Sequence, residues 1–235
     1  MPMNKDYTKE LLEYTLTMGA TLAGVADLES LQSLKTNPPN LMKNFDYAIS
    51  LAVAIPGSVF DLITNKNPGE LYAHYYKTAN ALIDHITLRL SEKIVNYGYS
   101  ALAIPASLSI GSDKLFSNAS HKAFAGSAGL GWIGKNLLLI TPKFGPRVRL
   151  GTVLTNISLR SSKSVIELNC GNCTKCIDAC PIKALKPSSF EEYPVNREDV
   201  FDAKKCHTRL EKLGKKDYIG VSICGVCIKV CPIGK

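Results

Sequence analysis

The sequence predicts an α+β fold with two parts, an N-terminal α/β part and a cysteine-rich part at the C-terminus. Segments with helical periodicity alternate with short apolar segments over residues 1–164, which is the pattern of a layered α/β structure. All eight cysteines fall within residues 170–231, after the polar stretch "SLRSSKS". The expected domains are therefore 1–164 and 165–235.

The predicted elements follow in a regular order. Residues 4–19 form an amphipathic helix that ends at Gly19, and a long helix over 67–97 begins at Pro68 and closes at Gly98. The apolar face of the long helix consists of Leu71, Tyr75, Ala79, Leu82, Ile86 and Leu90. The segment "HKAFAGSA" is also helical. Five short apolar segments are predicted strands: 21–28, 45–55, 99–105, 136–141 and 147–156.

Composition narrows the class of protein. A chain of 235 residues with 46% hydrophobic residues can bury the core of one large or two small domains. The N-terminal stretch lacks the apolar segment of an export signal, and the longest apolar run, 47–56, is too short to cross a bilayer. We therefore expect a soluble, cytoplasmic protein without membrane contact, whose thiols are kept reduced.

The formal net charge of +8 raises the question of a nucleic-acid partner. The lysines and arginines are scattered, and no basic stripe interleaved with aromatic residues is visible. Any thiolates that hold metal would also reduce this charge. The sequence therefore does not favour nucleic-acid binding.

The cysteines follow a specific spacing. Cys170, Cys173, Cys176 and Cys180, with Pro181, form the C-x2-C-x2-C-x3-C-P run of bacterial ferredoxins. A second set, Cys206, Cys224, Cys227 and Cys231, keeps the same C-x2-C-x3-C-P ending, with its first cysteine displaced upstream. The fourth cysteine of such a run ligates the other cluster. One 4Fe–4S cluster is therefore expected on Cys170, Cys173, Cys176 and Cys231, and a second on Cys180, Cys206, Cys224 and Cys227.

Structural zinc and disulfides are the alternatives for these cysteines. Zinc sites are typically built from two C-x2-C pairs and do not explain the x3-C-P ending. Disulfides are disfavoured in a reducing compartment. The motif therefore favours two 4Fe–4S clusters.

The stretch "GLGWIG" at 129–134 matches the dinucleotide fingerprint G-x-G-x-x-G. That fingerprint requires a strand before it and a helix after it, and here the order is reversed. A nucleotide site is therefore not expected. Two interpretations remain open. The glycines cap a helix with Trp132 packed inside, or they let the backbone approach a large flat cofactor.

Taken together, "HKAFAGSAGLGWIGKNLLLI", "RLGTVLTN" and the two cysteine sets resemble the epoxyqueuosine reductases and, more distantly, the reductive dehalogenases. The resemblance spans about residues 45–235. It implies a nitroreductase-like α/β sandwich that binds cobalamin, followed by a two-cluster ferredoxin module that supplies it with electrons. The cofactor contacts would come from Gly129, Gly131, Trp132, Gly134, Lys135, Arg147 and Arg149. For the three cations, a solvated position at the strand ends is the alternative.

Two departures from the family matter for activity. The aspartate that donates a proton in the family is matched by Leu115, and the chain stops at "CPIGK", without the family's helical-repeat domain that grips transfer RNA. Epoxyqueuosine reduction is therefore not expected. No catalytic residue is assigned, and His121 and Asp113 are the candidates. For His121, a plain polar position at a helix start is the alternative.

The sequence thus predicts a cobalamin-dependent reductase, in which two clusters pass electrons to a corrinoid. The alternative is an electron-transfer protein that reduces a corrinoid or flavin on a partner. Its expected partners are a low-potential donor such as ferredoxin or flavodoxin, and a corrinoid protein or small-molecule substrate. The N-terminal domain favours an enzyme, because a pure ferredoxin would not need it.

Overall fold

The computed structural model describes residues 6–110, 117–162, 170–187 and 196–235. The helices are α1 (Thr8–Thr17), α2 (Gly57–Asp61), α3 (Glu70–Asn96), α4 (His121–Ser127), α5 (Lys175–Asp178), α6 (Arg197–Val200), α7 (Ala203–Gly214) and α8 (Val226–Lys229). The strands are β1 (Leu22–Asp27), β2 (Tyr47–Ala54), β3 (Ala101–Ile104), β4 (Trp132–Ile133), β5 (Leu139–Ile140) and β6 (Val148–Thr155). Among the described residues, no helix has the length and apolar character needed to cross a membrane. The predicted mixed α/β class is confirmed.

The predicted strands are all present, but one differs in its form. The segment 136–141 forms only the two-residue strand β5, which pairs with the unpredicted β4. Trp132 lies opposite Ile140 in this small antiparallel ladder. A two-residue arm has no alternation of polar and apolar residues, and therefore gives no strand signal in the sequence.

The main sheet has the strand order β1-β2-β6-β3. The β1–β2 and β3–β6 pairs are antiparallel, with Leu22 opposite Ala52 and Ala101 opposite Thr155. Residues 48–53 of β2 are all buried, as expected of a central strand that is covered on both faces. This explains why the sequence of β2 is continuously apolar.

The buried face of α3 differs from the predicted one in its first turns. Leu71 and Tyr75 are exposed, at 52% and 37%, whereas Tyr72 is buried. Ala79, Ile86 and Leu90 are buried as predicted. The predicted stripe runs from Leu71 to Leu90, almost three heptads, and a straight helix drifts by about 20° per heptad relative to such a repeat. The error therefore accumulates at one end of the helix.

The chain divides into two compact units. The described residues of 1–54, 79–130 and 149–166 form the first, here called the sheet unit, and those of 55–78, 131–148 and 167–235 form the second, the cysteine unit. The core of the sheet unit is built from Leu11, Val25, Ile49, Leu90, Ile94, Val153, Ile157 and Leu159. The predicted domain boundary after residue 164 falls within 163–169, outside the described residues, and stays a prediction.

Candidate metal centre

Four cysteines from the two ends of the cysteine region lie around one cavity. Cys170, Cys173, Cys176 and Cys231 all line it. The first three are brought together by a turn, in which the Cys173 N–H donates to the Cys170 carbonyl at 2.9 Å, and by the start of α5. Cys231 follows α8, and its N–H donates to the carbonyl of Ile228. This set, called the first thiol group, is the one predicted to hold the first cluster.

The other four cysteines also lie near one another. The pKa of Cys206 is raised to about 11, mainly by burial and also by the neighbouring Cys224 and Cys180. Burial is also the main reason why the pKa of Cys227 is strongly raised, and the neighbouring Cys224 and Cys206 contribute to the same shift. These four thiols, Cys180, Cys206, Cys224 and Cys227, are called the second thiol group.

The raised pKa values describe thiols that hold their protons at neutral pH. Burial raises the pKa of Cys176 to about 11, with further contributions from Cys170, Cys231 and Cys173. A metal is bound by the thiolate and not by the thiol. Binding at these groups must therefore release protons, and it would offset the burial of several like charges.

The two thiol groups meet at a small apolar core. Cys176, Ile177 and Leu185 form its buried part, and Cys180 and Cys227 pack against it. The helices α5 and α8 contact each other here. Cys227 belongs to the second group, yet Cys176 also raises its pKa. The two groups are therefore adjacent within the cysteine unit.

The donor chemistry fits iron–sulfur clusters. All eight cysteines are thiols without disulfide bonds. Within the described ranges, no three His, Cys, Asp or Glu side chains are close enough to hold a single metal ion. A 4Fe–4S cluster is larger than an ion and takes one thiolate per iron, so each group of four thiols matches its ligand set.

A buried lysine holds the first cysteine loop in place. Lys135 lies in the loop that joins β4 to β5, where the Gly134 N–H donates to the Leu138 carbonyl. Its side chain is only 7% exposed, and its Nζ donates to the carbonyl oxygen of Gly171 at 2.6 Å. Gly171 lies between Cys170 and Cys173, so the ammonium group is positioned at the first thiol group.

A buried arginine holds the last cysteine loop. The guanidinium of Arg147 donates to the carbonyls of Ile233 at 2.7 Å, Cys231 at 2.8 Å and Ile228 at 3.4 Å. The side chain is 4% exposed, and burial lowers its pKa. An arginine keeps its proton in proteins, so this is a second buried positive charge at the first thiol group.

Close backbone contacts fix the same loop. A Cβ added to Gly145 would fall on the carbonyl of Ile233, and one added to Gly234 would fall on the backbone of Phe144 and Gly145. Both glycines have positive φ values, +55° and +73°. The turn before β6 therefore packs directly against the loop that follows Cys231, and side chains are excluded at both positions.

A family model described as a 4Fe-4S double cluster binding domain matches residues 169–234. The match covers all eight cysteines. Residues 169–234 are therefore similar to a double 4Fe-4S cluster domain. This match supports the predicted presence of two iron–sulfur clusters in the C-terminal part of the chain. The assignment of each cysteine to one of the two clusters stays a prediction.

The chain is similar to curated epoxyqueuosine reductases. The protein from Bacillus cereus is 29% identical over 260 residues, covering 97% of this chain and 64% of the relative. The protein from Gloeobacter violaceus is 37% identical over 122 residues, covering 48% of this chain and 35% of the relative. The predicted resemblance to this family is confirmed. The chain spans somewhat less than two thirds of the length of the Bacillus cereus relative.

Two solved structures give the same result. An epoxyqueuosine reductase with an epoxyqueuosine-modified tRNA-Tyr stem loop matches with a TM-score of 0.60 and 25% identity, covering 96% of this chain and 64% of that chain. A catabolic reductive dehalogenase matches with a TM-score of 0.77 and 19% identity, covering 100% and 33%. The second likeness concerns the fold alone.

In this epoxyqueuosine reductase-like chain, the predicted cofactor contacts separate into two sets. Gly131, Trp132, Gly134, Lys135 and Arg147 belong to the cysteine unit, whereas Gly129 and Arg149 belong to the sheet unit. Lys135 and Arg147 are buried and not solvated, and they bind the cysteine loops as described above. Their contact with a cofactor stays a prediction. Arg149 donates from its Nε to Asn80 Oδ1 at 2.8 Å.

The glycine stretch has local structural reasons for its composition. Gly129 follows α4 with φ +70°, in agreement with the helix-cap interpretation. A Cβ on Gly131 would fall on the carbonyl of Ile140 in the facing strand β5. These contacts explain both glycines without a cofactor. Trp132 is buried, and its indole N–H has no hydrogen-bond partner among the described residues.

His121 is engaged at both ring nitrogens within the sheet unit. Its Nε2 lies 3.1 Å from the Pro105 carbonyl, and its Nδ1 lies 2.8 Å from the Thr152 hydroxyl. The carbonyl can only accept, so the Nε2–H donates to it and Nδ1 accepts from Thr152. Burial lowers the pKa of His121, which favours this neutral form. The other candidate, Asp113, and Leu115 lie outside the described residues.

One residue near the thiols was missed by the sequence analysis. The Arg209 Nε donates to the Cys224 Sγ at 3.5 Å, and its Nη2 donates to the Asn65 carbonyl. Arg209 lies on α7, three residues after Cys206, and residues three apart share a helix face. This spacing was the available signal that Arg209 lies near the second thiol group.

Proposed function

We propose that this chain is a reductase in which two 4Fe–4S clusters pass electrons to a corrinoid. The observation that carries the proposal is the arrangement of the thiols, because the first thiol group combines three cysteines of one run with Cys231 of the other. Cys170, Cys173, Cys176 and Cys231 would hold one cluster, and Cys180, Cys206, Cys224 and Cys227 the other. Bound clusters supply one-electron carriers at this position.

The corrinoid part of the proposal is supported in two ways. A reductive dehalogenase structure with the same fold is associated with B12-dependent dehalogenation. The buried indole N–H of Trp132 lacks a partner among the described residues, and an acceptor on a bound group would satisfy it. We further infer that the N-terminal part, residues 1–164, is the nitroreductase-like domain that binds this group.

A second function is supported by Leu115. The family's proton-donating aspartate is matched by this leucine, which has no proton to donate. A protein that hands electrons to a corrinoid or flavin on a partner would not need that acid. In both functions the electrons come from a low-potential donor such as ferredoxin or flavodoxin, and the protein works in the reducing cytoplasm.

The substrate is proposed to be a small or medium-sized organic molecule, not transfer RNA. A related epoxyqueuosine reductase has been solved with a tRNA stem loop. The scattered basic residues and Leu115 argue against the same substrate here, so the absence of nucleic-acid binding stays a prediction.

Two measurements on anaerobically purified protein test the proposal. We expect about eight iron and about eight sulfide per chain, from two cubanes. Stoichiometric zinc without sulfide would refute the cluster assignment. The reconstituted protein is then mixed with cobalamin and passed through gel filtration. Retained cobalamin supports the reductase, whereas loss of all cobalamin from a protein with intact clusters favours electron transfer to a partner.

A further inference from the structure

The first thiol group lies next to two buried positive charges. The Lys135 ammonium group bonds to the loop that contains Cys170 and Cys173, and the Arg147 guanidinium bonds to the loop that contains Cys231. Both side chains are more than nine-tenths buried. Lys175 lines the same cavity but is an exposed residue. The chain therefore offers buried and exposed cations at one site.

Among the described residues, no carboxylate forms a direct ion pair with either of these two cations. Their hydrogen-bond partners in the described part of the chain are backbone carbonyls. A charge buried from water acts more strongly on its neighbours than an exposed one, because water screens less of its field.

Reduction adds one negative charge to a cluster that four thiolates already make negative. The potential of such clusters depends on net charge, hydrogen bonding and exposure to solvent. A buried cation nearby stabilises the reduced form more than the oxidised form. An exposed cation at the same distance has a smaller effect.

We propose that Lys135 and Arg147 raise the reduction potential of the cluster on Cys170, Cys173, Cys176 and Cys231. They leave the potential of the other cluster unchanged. The step concerned is the one-electron reduction of this cluster by a donor of the ferredoxin or flavodoxin class, with no bond made or broken. The inference rests on the proposed cluster ligation. On this inference, Lys135 and Arg147 affect the reaction through the reduction potential of the cluster and not by touching a substrate.

The second cluster has its own cation. Arg209 is half-buried and donates directly to the Cys224 sulfur. Removal of this charge is expected to shift the second cluster only. Lys135 and Arg209 therefore form a matched pair, because removal of each charge should shift the reduction potential of a different cluster.

The test is a potentiometric titration of the holoprotein, followed by electron paramagnetic resonance. Lys135→Met removes the charge and keeps most of the side-chain length. At a fixed potential, the Lys135→Met variant should contain a roughly tenfold lower ratio of reduced to oxidised first cluster. A loss of this size is expected when a buried charge next to the cluster is removed. Lys135→Arg should keep the wild-type ratio, the exposed Lys175→Met should change it much less than Lys135→Met, and Arg209→Gln should shift only the potential of the other cluster.

Iron and sulfide are measured on every sample, so the two possible failures are distinguishable. A Lys135→Met protein with about eight iron and unchanged potentials overturns the inference, while the cluster assignment stands. A wild-type protein without sulfide overturns the assignment itself. If Lys135→Met does not assemble the first cluster, Lys135→Gln is titrated. Failure of both to assemble shows a requirement for assembly instead, and the inference is rejected.

Discussion

The guanidinium of Arg147 donates a hydrogen bond to the carbonyl oxygen of Cys231 across 2.8 Å. This bond joins the residue just before β6 to the last cysteine of the chain, eighty-four positions later in the sequence. Together with the bond from Lys135 to Gly171, it positions both ends of the first thiol group. The cysteine unit is therefore held by residues that lie far from the cysteine motif in the sequence.

Loss of Arg147 should damage the first cluster specifically. Arg147→Ala removes the side-chain donor for the carbonyls of Ile233 and Cys231, and a buried group left without a partner costs about 1–3 kcal/mol. The Ile228 carbonyl keeps the N–H of Cys231. We expect a lower thermal midpoint and iron falling from about eight to about four per chain. Arg147→Lys keeps the charge and part of the bonding, and should lose less iron.

The matched control is Arg149→Ala, two residues further along the chain and within β6. Arg149 bonds within the sheet unit, so this variant should lower stability but keep all the iron. Equal iron loss in Arg147→Ala and Arg149→Ala would contradict a specific role of Arg147.

The exchange of cysteines between the two runs is tested by Cys231→Ala. This variant should damage the cluster of the first thiol group and leave that of Cys224 and Cys227, its neighbours in sequence, intact. The surviving cluster is identified by combining Cys231→Ala with a second substitution and measuring the reduction potential. Its potential should move with Arg209→Gln and not with Lys135→Met. The reverse response would show that each run holds its own cluster.

Trp132 offers a test of corrinoid binding that leaves the glycines intact. Trp132→Phe keeps an aromatic side chain at this position and removes the unpaired N–H. If that N–H donates to a bound corrinoid, the variant should release cobalamin more readily in gel filtration, while keeping both clusters. Equal retention by the variant and the wild type would exclude a bond from this donor.

Much of the sheet unit was predictable from the sequence, because β1, β2, β3 and β6 carry alternating or continuous apolar residues. The cysteine spacing predicts the ligand sets of two clusters, and the four cysteines of the first set line one cavity, while the ligation itself stays a prediction. The roles of Lys135 and Gly131 were not predictable. Lys135 bonds to a loop that is remote in sequence, and Gly131 is required by a two-residue strand pair. No periodic pattern encodes such contacts, which depend on tertiary structure.

The pH dependence of stability should report on His121. Burial holds the pKa of this histidine below its ordinary value, so the unfolded chain binds more protons than the folded chain near and below pH about 6.5. Stability should therefore rise with pH through this range and be lost as the pH falls. Urea midpoints between pH 5 and 8 should show this slope in the wild type and a weaker one in His121→Asn. The exposed His85 provides the control His85→Asn, which should keep the wild-type slope.

Epoxyqueuosine reduction should be absent, and Leu115 provides the reason. Proton delivery by a positioned acid contributes about 10²–10⁴-fold in rate, and a leucine at the family's acid position delivers none. With transfer RNA that carries the epoxide, cobalamin and a strong electron donor, we expect no product above background. Leu115→Asp restores an acid at this position, so turnover in that variant alone would show that the missing proton donor was the obstacle. Multiple turnovers by the wild type would contradict the prediction, and His121→Ala and Asp113→Asn would then show whether either residue supplies the proton.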